Sequence, residues 1–188
     1  MEKKTAFTTK KLVLAAMLAA LTVAGSALRI TLPIDIAGTT SFHLGNIMCA
    51  LSGILLGPWL GSLAAGMGSA IYDMMNPLYI SEAWITFLTK GAYGLAAGLV
   101  MGIRKKNYGF KTVAAAASGA LTYAVLYLAK TYFYSGLLMK GLTPHAALLT
   151  VISKLPATTF NAVVAIIFAP ILASAIRKAL EMNRLSLE

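Results

Sequence analysis

Lys90, Lys130, Asn46 and Asn161 stand inside long apolar runs, and Lys154 lies at the edge of another. A charged or amide side chain is costly in such a setting, so these residues are the first candidates for function. The chemistry they offer is recognition. Ammonium and amide groups hydrogen-bond a polar ligand, and a solitary ammonium needs a carboxylate, a carbonyl or a ligand beside it. Asp73 and Glu82 bracket Met74-Met75-Asn76-Pro77-Leu78-Tyr79-Ile80-Ser81, a segment that adds amide and aromatic groups. Tyr123 and Tyr127 offer flat faces for stacking against an aromatic ligand, and His43 precedes the run that carries Asn46. The candidate substrate-binding residues are therefore His43, Asn46, Asp73, Asn76, Tyr79, Glu82, Lys90, Tyr127, Lys154 and Asn161. They suit a pocket with apolar walls and few convergent polar groups. For Lys90, a structural ion pair with Asp73 or Glu82 competes with a pocket role. Lys130 is expected to snorkel toward the outer interface, and Tyr132 and Tyr134 to join an aromatic belt.

The residue pattern offers little for bond-making chemistry. His43 and His145 are the two histidines and lie 102 positions apart, so no metal site is expected. The single cysteine, Cys49, reads as a small packed apolar residue. No His-Glu-x-x-His, Gly-x-Ser-x-Gly or Gly-x4-Gly-Lys-Ser/Thr motif is present. Neither an enzyme nor a bound cofactor is expected, and uptake against a gradient would need a partner or a coupled ion.

The elements that position these residues follow from composition. Of the 188 residues 59% are apolar and 12% charged, against about 45–50% and about 25% in soluble domains. Lipid is the matching solvent. The formal net charge of +10 sits at the edges of apolar runs, which is the membrane pattern and not a nucleic-acid-binding stripe. Small residues at Ala24-Gly25-Ser26-Ala27 would suit signal cleavage, but the first run is long enough to cross the bilayer and is read as a retained helix.

A crossing takes about 20 apolar residues. The runs predict an all-α membrane protein, a single domain over 1–188 with six transmembrane helices near 12–32, 44–57, 58–72, 83–103, 113–134 and 155–176. The 29-residue stretch Leu44 to Tyr72 is divided at Gly57-Pro58, where proline favours a break. One long kinked helix is the competing reading. Lys3, Lys4, Lys10 and Lys11, then Arg104, Lys105, Lys106 and Lys111, then Arg177, Lys178 and Arg184 fall on one face if there are six spans. That face, with both termini, is then cytoplasmic. The opposite face receives Arg29, Asp35, His43, Asp73, Glu82, Lys140 and His145. Gly57/Gly61 and Gly94/Gly98/Gly102 have helix-packing spacing and are expected to pack the bundle internally.

The stretch Lys10-Lys11-Leu12-Val13-Leu14-Ala15-Ala16-Met17-Leu18-Ala19-Ala20 resembles the opening of the substrate-binding (S) components of energy-coupling factor (ECF) vitamin transporters. The ordered set His43-Leu44-Gly45-Asn46, Leu55-Leu56-Gly57-Pro58, Ser69-Ala70-Ile71-Tyr72-Asp73 and Thr89-Lys90-Gly91 resembles the same group. It is most similar to the branch assigned variously to riboflavin, hydroxymethylpyrimidine or vitamin B6. The resemblance implies a multi-pass protein of a bacterial plasma membrane that captures a vitamin from outside. It would dock on a transmembrane coupling subunit driven by two cytoplasmic ATPases, and carry its loaded pocket inward by toppling. The partner face would be Ala15, Ala16, Ala19 and Ala20, with the ligand near the outer loops and the last three helices. Asp35, Asp73 and Glu82 argue against a strongly anionic substrate. Small aromatic vitamins such as hydroxymethylpyrimidine or pyridoxine fit best, with riboflavin, cobalamin or a queuosine precursor as alternatives. A self-sufficient secondary transporter is the main rival, although no duplication between the halves is visible. An intramembrane enzyme and a ligand-free assembly subunit are the others.

Overall fold

The computed structural model describes residues 8–32, 40–103 and 107–183. Lys3, Lys4, Asp35, Arg104, Lys105, Lys106 and Arg184 lie outside the described residues. Helix α1 spans Thr9–Ala27 and starts where the Thr8 hydroxyl accepts the Lys11 N–H, which satisfies an orphan donor of the first turn. The sequence pattern carries this helix to Leu32, but the chain leaves it at Ala27. Strands β1 (Arg29–Leu32) and β2 (Thr40–His43) then form an antiparallel pair in which Arg29 faces His43. The Leu28 N–H still bonds the Ala24 carbonyl and closes the last turn, while Leu28 itself leaves helical backbone with φ −75° and ψ 81°.

Helical segment α2 covers Gly45–Met74 and changes direction at Gly57, whose φ of 77° and ψ of −171° are not helical. Such a backbone is open to glycine alone among the common residues, and Pro58 then starts the second arm with φ already set. The arms fold back on each other. Gly53 and Gly61 touch through their backbones, whereas eight residues along an unbroken helix are about 12 Å apart. Gly98 of α3 (Ala83–Gly102) receives the backbone of the Gly57-Pro58 turn, and Gly94 meets Gly61. These glycines pack the bundle internally. Gly102 has nothing close to it.

A 3₁₀ turn at Ile80–Glu82 leads into α3. Helix α4, Tyr108–Lys130, begins at an Asn107 cap and passes into a π-helical stretch, Thr131–Met139. It thus starts earlier than the apolar run at Val113 and continues beyond Tyr134. Helix α5 runs over Pro144–Met182, 39 residues, against the expected 155–176. Its start is a capping arrangement, with the Thr143 hydroxyl accepting the Ala146 N–H and Pro144 in the first helical position. Pro156 and Pro170 lie within it.

Among the described residues, five helical stretches are long and apolar enough to cross a membrane. The interior holds small side chains, among them Ala50, Ala65, Ala97, Ala116, Ala165 and Ala169. Large apolar residues such as Trp59, Leu121, Val125, Phe133 and Ile171 face outward. Small inside and large outside is how helices pack in lipid, where close backbone approach replaces the hydrophobic drive between helices. The protein is an all-α membrane protein carrying one short β-hairpin.

Candidate ligand site

The β-hairpin, the α2–α3 connection, the π stretch and the middle of α5 converge on a cavity of about 500 Å3. Nine of the ten residues singled out from the sequence line it: His43, Asn46, Asp73, Tyr79 and Glu82, together with Lys90, Tyr127, Lys154 and Asn161. Asn76 does not. Its carboxamide oxygen accepts the Leu78 N–H at 3.0 Å and its amide donates to the Tyr72 hydroxyl at 3.5 Å, so it shapes the connecting loop.

Lys90 is 5% exposed. Its ammonium donates to the Asn46 carboxamide oxygen and lies 3.7 Å from the centre of the Tyr123 ring. An amide oxygen and an aromatic face stabilise a buried cation only in part, which leaves Lys90 able to donate into the cavity. The ion pair with Glu82 that competes with a pocket role for Lys90 is made by Lys130. Lys130 bonds one Glu82 carboxylate oxygen while the Ser135 hydroxyl donates to the other at 2.8 Å. The Lys130 side chain is 11% exposed, so it does not snorkel to an interface. A carboxylate within reach outcompetes the longer route to water.

Tyr93, Tyr123 and Tyr127 form a ladder. Tyr93 and Tyr123 stack with centroids 5.9 Å apart and planes 29° apart, and Tyr123 and Tyr127 follow at 5.5 Å and 24°. Tyr93 is fully buried and supports the two rings that line the cavity. Sequence reasoning missed it because an aromatic residue in an apolar run reads as core. Tyr134, expected in an aromatic belt with Tyr132, meets Trp84 edge-on with centroids 5.6 Å apart.

Arg29 was also missed as a site residue, since a cation at a helix end looks like a flank charge. Its guanidinium sits 4.5 Å from the Tyr72 ring centre and 4.9 Å from that of Tyr79, and its Nε donates to the Ser26 carbonyl. Arg29 therefore joins the hairpin to the α2–α3 loop across the cavity. Asn161 does the same from α5. Its oxygen accepts the His43 N–H at 3.1 Å and its amide donates to the Ser41 carbonyl at 3.0 Å. Burial, then Lys90 and Arg29, hold the His43 imidazole well below its usual pKa, so it is neutral near pH 7. His145 is exposed on the first turn of α5, and the described residues contain no cluster of metal-ligating side chains.

The charge balance corrects the expectation of a carboxylate-rich face. Arg29, Lys90, Lys130, Lys140 and Lys154 line the cavity against Asp73 and Glu82. Lysines far apart in sequence are gathered by folding, and Asp35 lies outside the described residues. The argument against an anionic ligand therefore falls. The alanine face also divides. Ala15 and Ala19 pack against the core, with Gly68 seated on the Ala19 carbonyl. Ala16 and Ala20 are exposed.

A cavity of this kind, with no catalytic grouping and set among membrane helices, fits a carrier. The model of the family described as ECF-type riboflavin transporter, S component, matches residues 6–178. A Pyrococcus woesei protein described as "Uncharacterized protein in gap 3'region" is 37% identical over 79 residues, which are 42% of this chain and 50% of that protein. The chain thus spans about half the length of that curated relative. The match over 6–178 leaves few residues outside it, and the chain is a multi-pass membrane protein that belongs to the family of S components of ECF-type riboflavin transporters.

Proposed function

We propose that this chain captures a flat heteroaromatic vitamin, or the precursor of one, and that the cavity between the β-hairpin, α3, α4 and α5 is its binding site. The observation that carries the reading is the Lys90 ammonium set over Tyr123 in a stacked tyrosine pair. Stacked rings offer an aromatic ligand a face, and a buried donor beside them offers its ring nitrogens or carbonyls a hydrogen bond. His43, Asn46, Asp73, Tyr79, Glu82, Lys90, Tyr127, Lys154 and Asn161 are the proposed binding residues, with Arg29 added and Asn76 kept as a loop residue. Riboflavin, hydroxymethylpyrimidine and pyridoxine all present a flat ring with acceptors, and a volume of about 500 Å3 admits each.

The chain crosses the membrane six times, because the two arms of α2 count separately, and its single domain occupies 1–188. The basic residues Lys10, Lys11, Lys111, Arg177 and Lys178 then share the cytoplasmic face with both termini, and the cavity opens outside. Delivery depends on a transmembrane coupling subunit with two ATPases, docked on the exposed Ala16 and Ala20.

A thermal-shift series on the detergent-purified chain against water-soluble vitamins and their precursors tests the reading. A ligand of the folded state stabilises it by RT ln(1 + [L]/Kd), about 4 kcal/mol at a thousandfold excess over Kd. One compound with a large shift names the substrate. A well-folded chain that shifts with none overturns vitamin capture.

A further inference from the structure

The cavity wall contributed by the end of α4 has the wrong spacing for an α-helix. Tyr123 and Tyr127 line the cavity, and then the pairs Lys130 and Thr131, Ser135 and Gly136, and Met139 and Lys140 follow, four to five residues apart. An α-helix continuing from Thr131 would bring Ser135 and Leu138 to that face and turn Gly136 and Lys140 away from it. Leu138 instead is 73% exposed and Tyr134 is turned to Trp84. The π stretch Thr131–Met139 accounts for the change. An α-helix advances about 100° per residue and a π-helix about 80°, so the nine steps from Thr131 to Lys140 end near the starting direction in the π form and about opposite to it in the α form.

We propose that this π register is the selectivity device of the site. It exchanges a bulky side chain, Leu138, for an ammonium, Lys140, keeps the Ser135 hydroxyl at the wall, and so sets which substituents the bound ring may carry. The proposal deepens the vitamin-binding reading and rests on it. Two contacts anchor the stretch. Gly136 is buried, and a Cβ there would press on the Ala147 side chain of α5 at 3.0 Å and the Thr131 carbonyl at 3.1 Å. Ser135 donates to the Glu82 oxygen that Lys130 leaves free. In the α register the Gly136 contact is lost, because residue 136 rotates away from α5. Ser135 thus acts through Glu82 as a positioning residue for Lys130, and Lys140 at the cavity mouth meets the ligand's acceptor groups: carbonyl, hydroxyl or carboxylate.

The test uses the full-length chain in nanodiscs, with Cys49→Ser as background and single replacements Tyr134→Cys, Leu138→Cys, Met139→Cys and Lys140→Cys. Each is labelled with a membrane-impermeant maleimide, with and without the vitamin identified by thermal shift. The π register requires ligand to slow labelling at Met139→Cys and Lys140→Cys at least about fivefold and to leave Tyr134→Cys and Leu138→Cys unchanged. Protection at Leu138→Cys, with Lys140→Cys indifferent, overturns it. Lys140→Met and Ser135→Ala, in folded protein of unchanged ligand-free Tm, should alter the ratio of Kd values for two vitamins that differ in one acceptor substituent by at least fivefold, whereas Leu138→Ala should not. A vitamin bound with the same ratio by all three variants overturns the selectivity role and leaves vitamin binding standing. A folded chain that binds no vitamin overturns both.

Discussion

The Cys49 thiol lies 3.6 Å from the Ser69 hydroxyl, although 20 residues separate them. In an unbroken helix that separation is about 30 Å. The pair therefore reports the reversal at Gly57 more directly than any boundary does, and it brings Asn46 on one arm and Asp73 on the other to the same cavity. The hairpin inside α2 is what makes the site, since neither arm alone presents both residues beside Lys90.

Gly57 should be irreplaceable for conformational and not steric reasons. A Cβ there would meet nothing within 4 Å, yet φ is 77°, and a side chain in that region costs about 1–3 kcal/mol. Gly57→Ala is expected to lower the unfolding free energy by that amount in detergent. Gly98→Ala should cost more, because its Cβ would collide with the turn's backbone. Equal, negligible losses for both would show that the turn tolerates an ordinary residue.

Lys90 should set affinity. Lys90→Met keeps length and removes the donor, and it is expected to weaken vitamin binding more than about tenfold, or roughly 1.4 kcal/mol. Titration calorimetry on the folded variant reads this directly. Undiminished affinity would return Lys90 to the role of a packing residue held by Asn46.

Lys90 and Asn46 were legible in the sequence because a polar residue inside an apolar run is costly enough to need a reason, wherever its partner lies. The same logic marked Asn161, whereas Asp73 and Glu82 were marked by the amide- and aromatic-bearing loop they bracket. Neither signal could assign partners. Glu82 belongs to Lys130, and only the meeting of the α2–α3 turn with the end of α4 decides that. Arg29 stayed hidden because its two aromatic contacts, Tyr72 and Tyr79, are brought to it by the α2 hairpin and the loop beyond it. The π stretch was also invisible, since its residues are as apolar as an α-helix requires and its register depends on the contact of Gly136 with another element. The end of α1 was masked by hydropathy, because Leu28, Ile30 and Leu32 beyond it are themselves apolar.

The Glu82–Lys130 pair should show strong coupling. Removing one partner leaves the other charge buried, which is expected to destabilise by about 3 kcal/mol for Lys130→Met. Glu82→Gln should cost somewhat less, since Ser135 can still donate to the amide oxygen. The double variant should recover part of the loss, giving a coupling energy of at least about 1 kcal/mol by denaturation in mixed micelles. Additive losses would mean that water reaches the pair.

The two halves of the alanine face should separate in function. Ala16 is exposed while Ala19 carries Gly68 against its carbonyl and packs on the core. Ala16→Trp is therefore expected to leave Tm and vitamin affinity unchanged and to abolish uptake when the chain is reconstituted with the proposed coupling subunit and ATPases. Ala19→Trp has no space beside α2 and should lower Tm by several degrees before any partner is added, as overpacking of about 1–3 kcal/mol implies. Uptake by Ala16→Trp at the parental rate would move the docking face off α1. Loss of vitamin binding in that variant would mean that the exposed alanine is covered by the bundle's own motion and not by a partner.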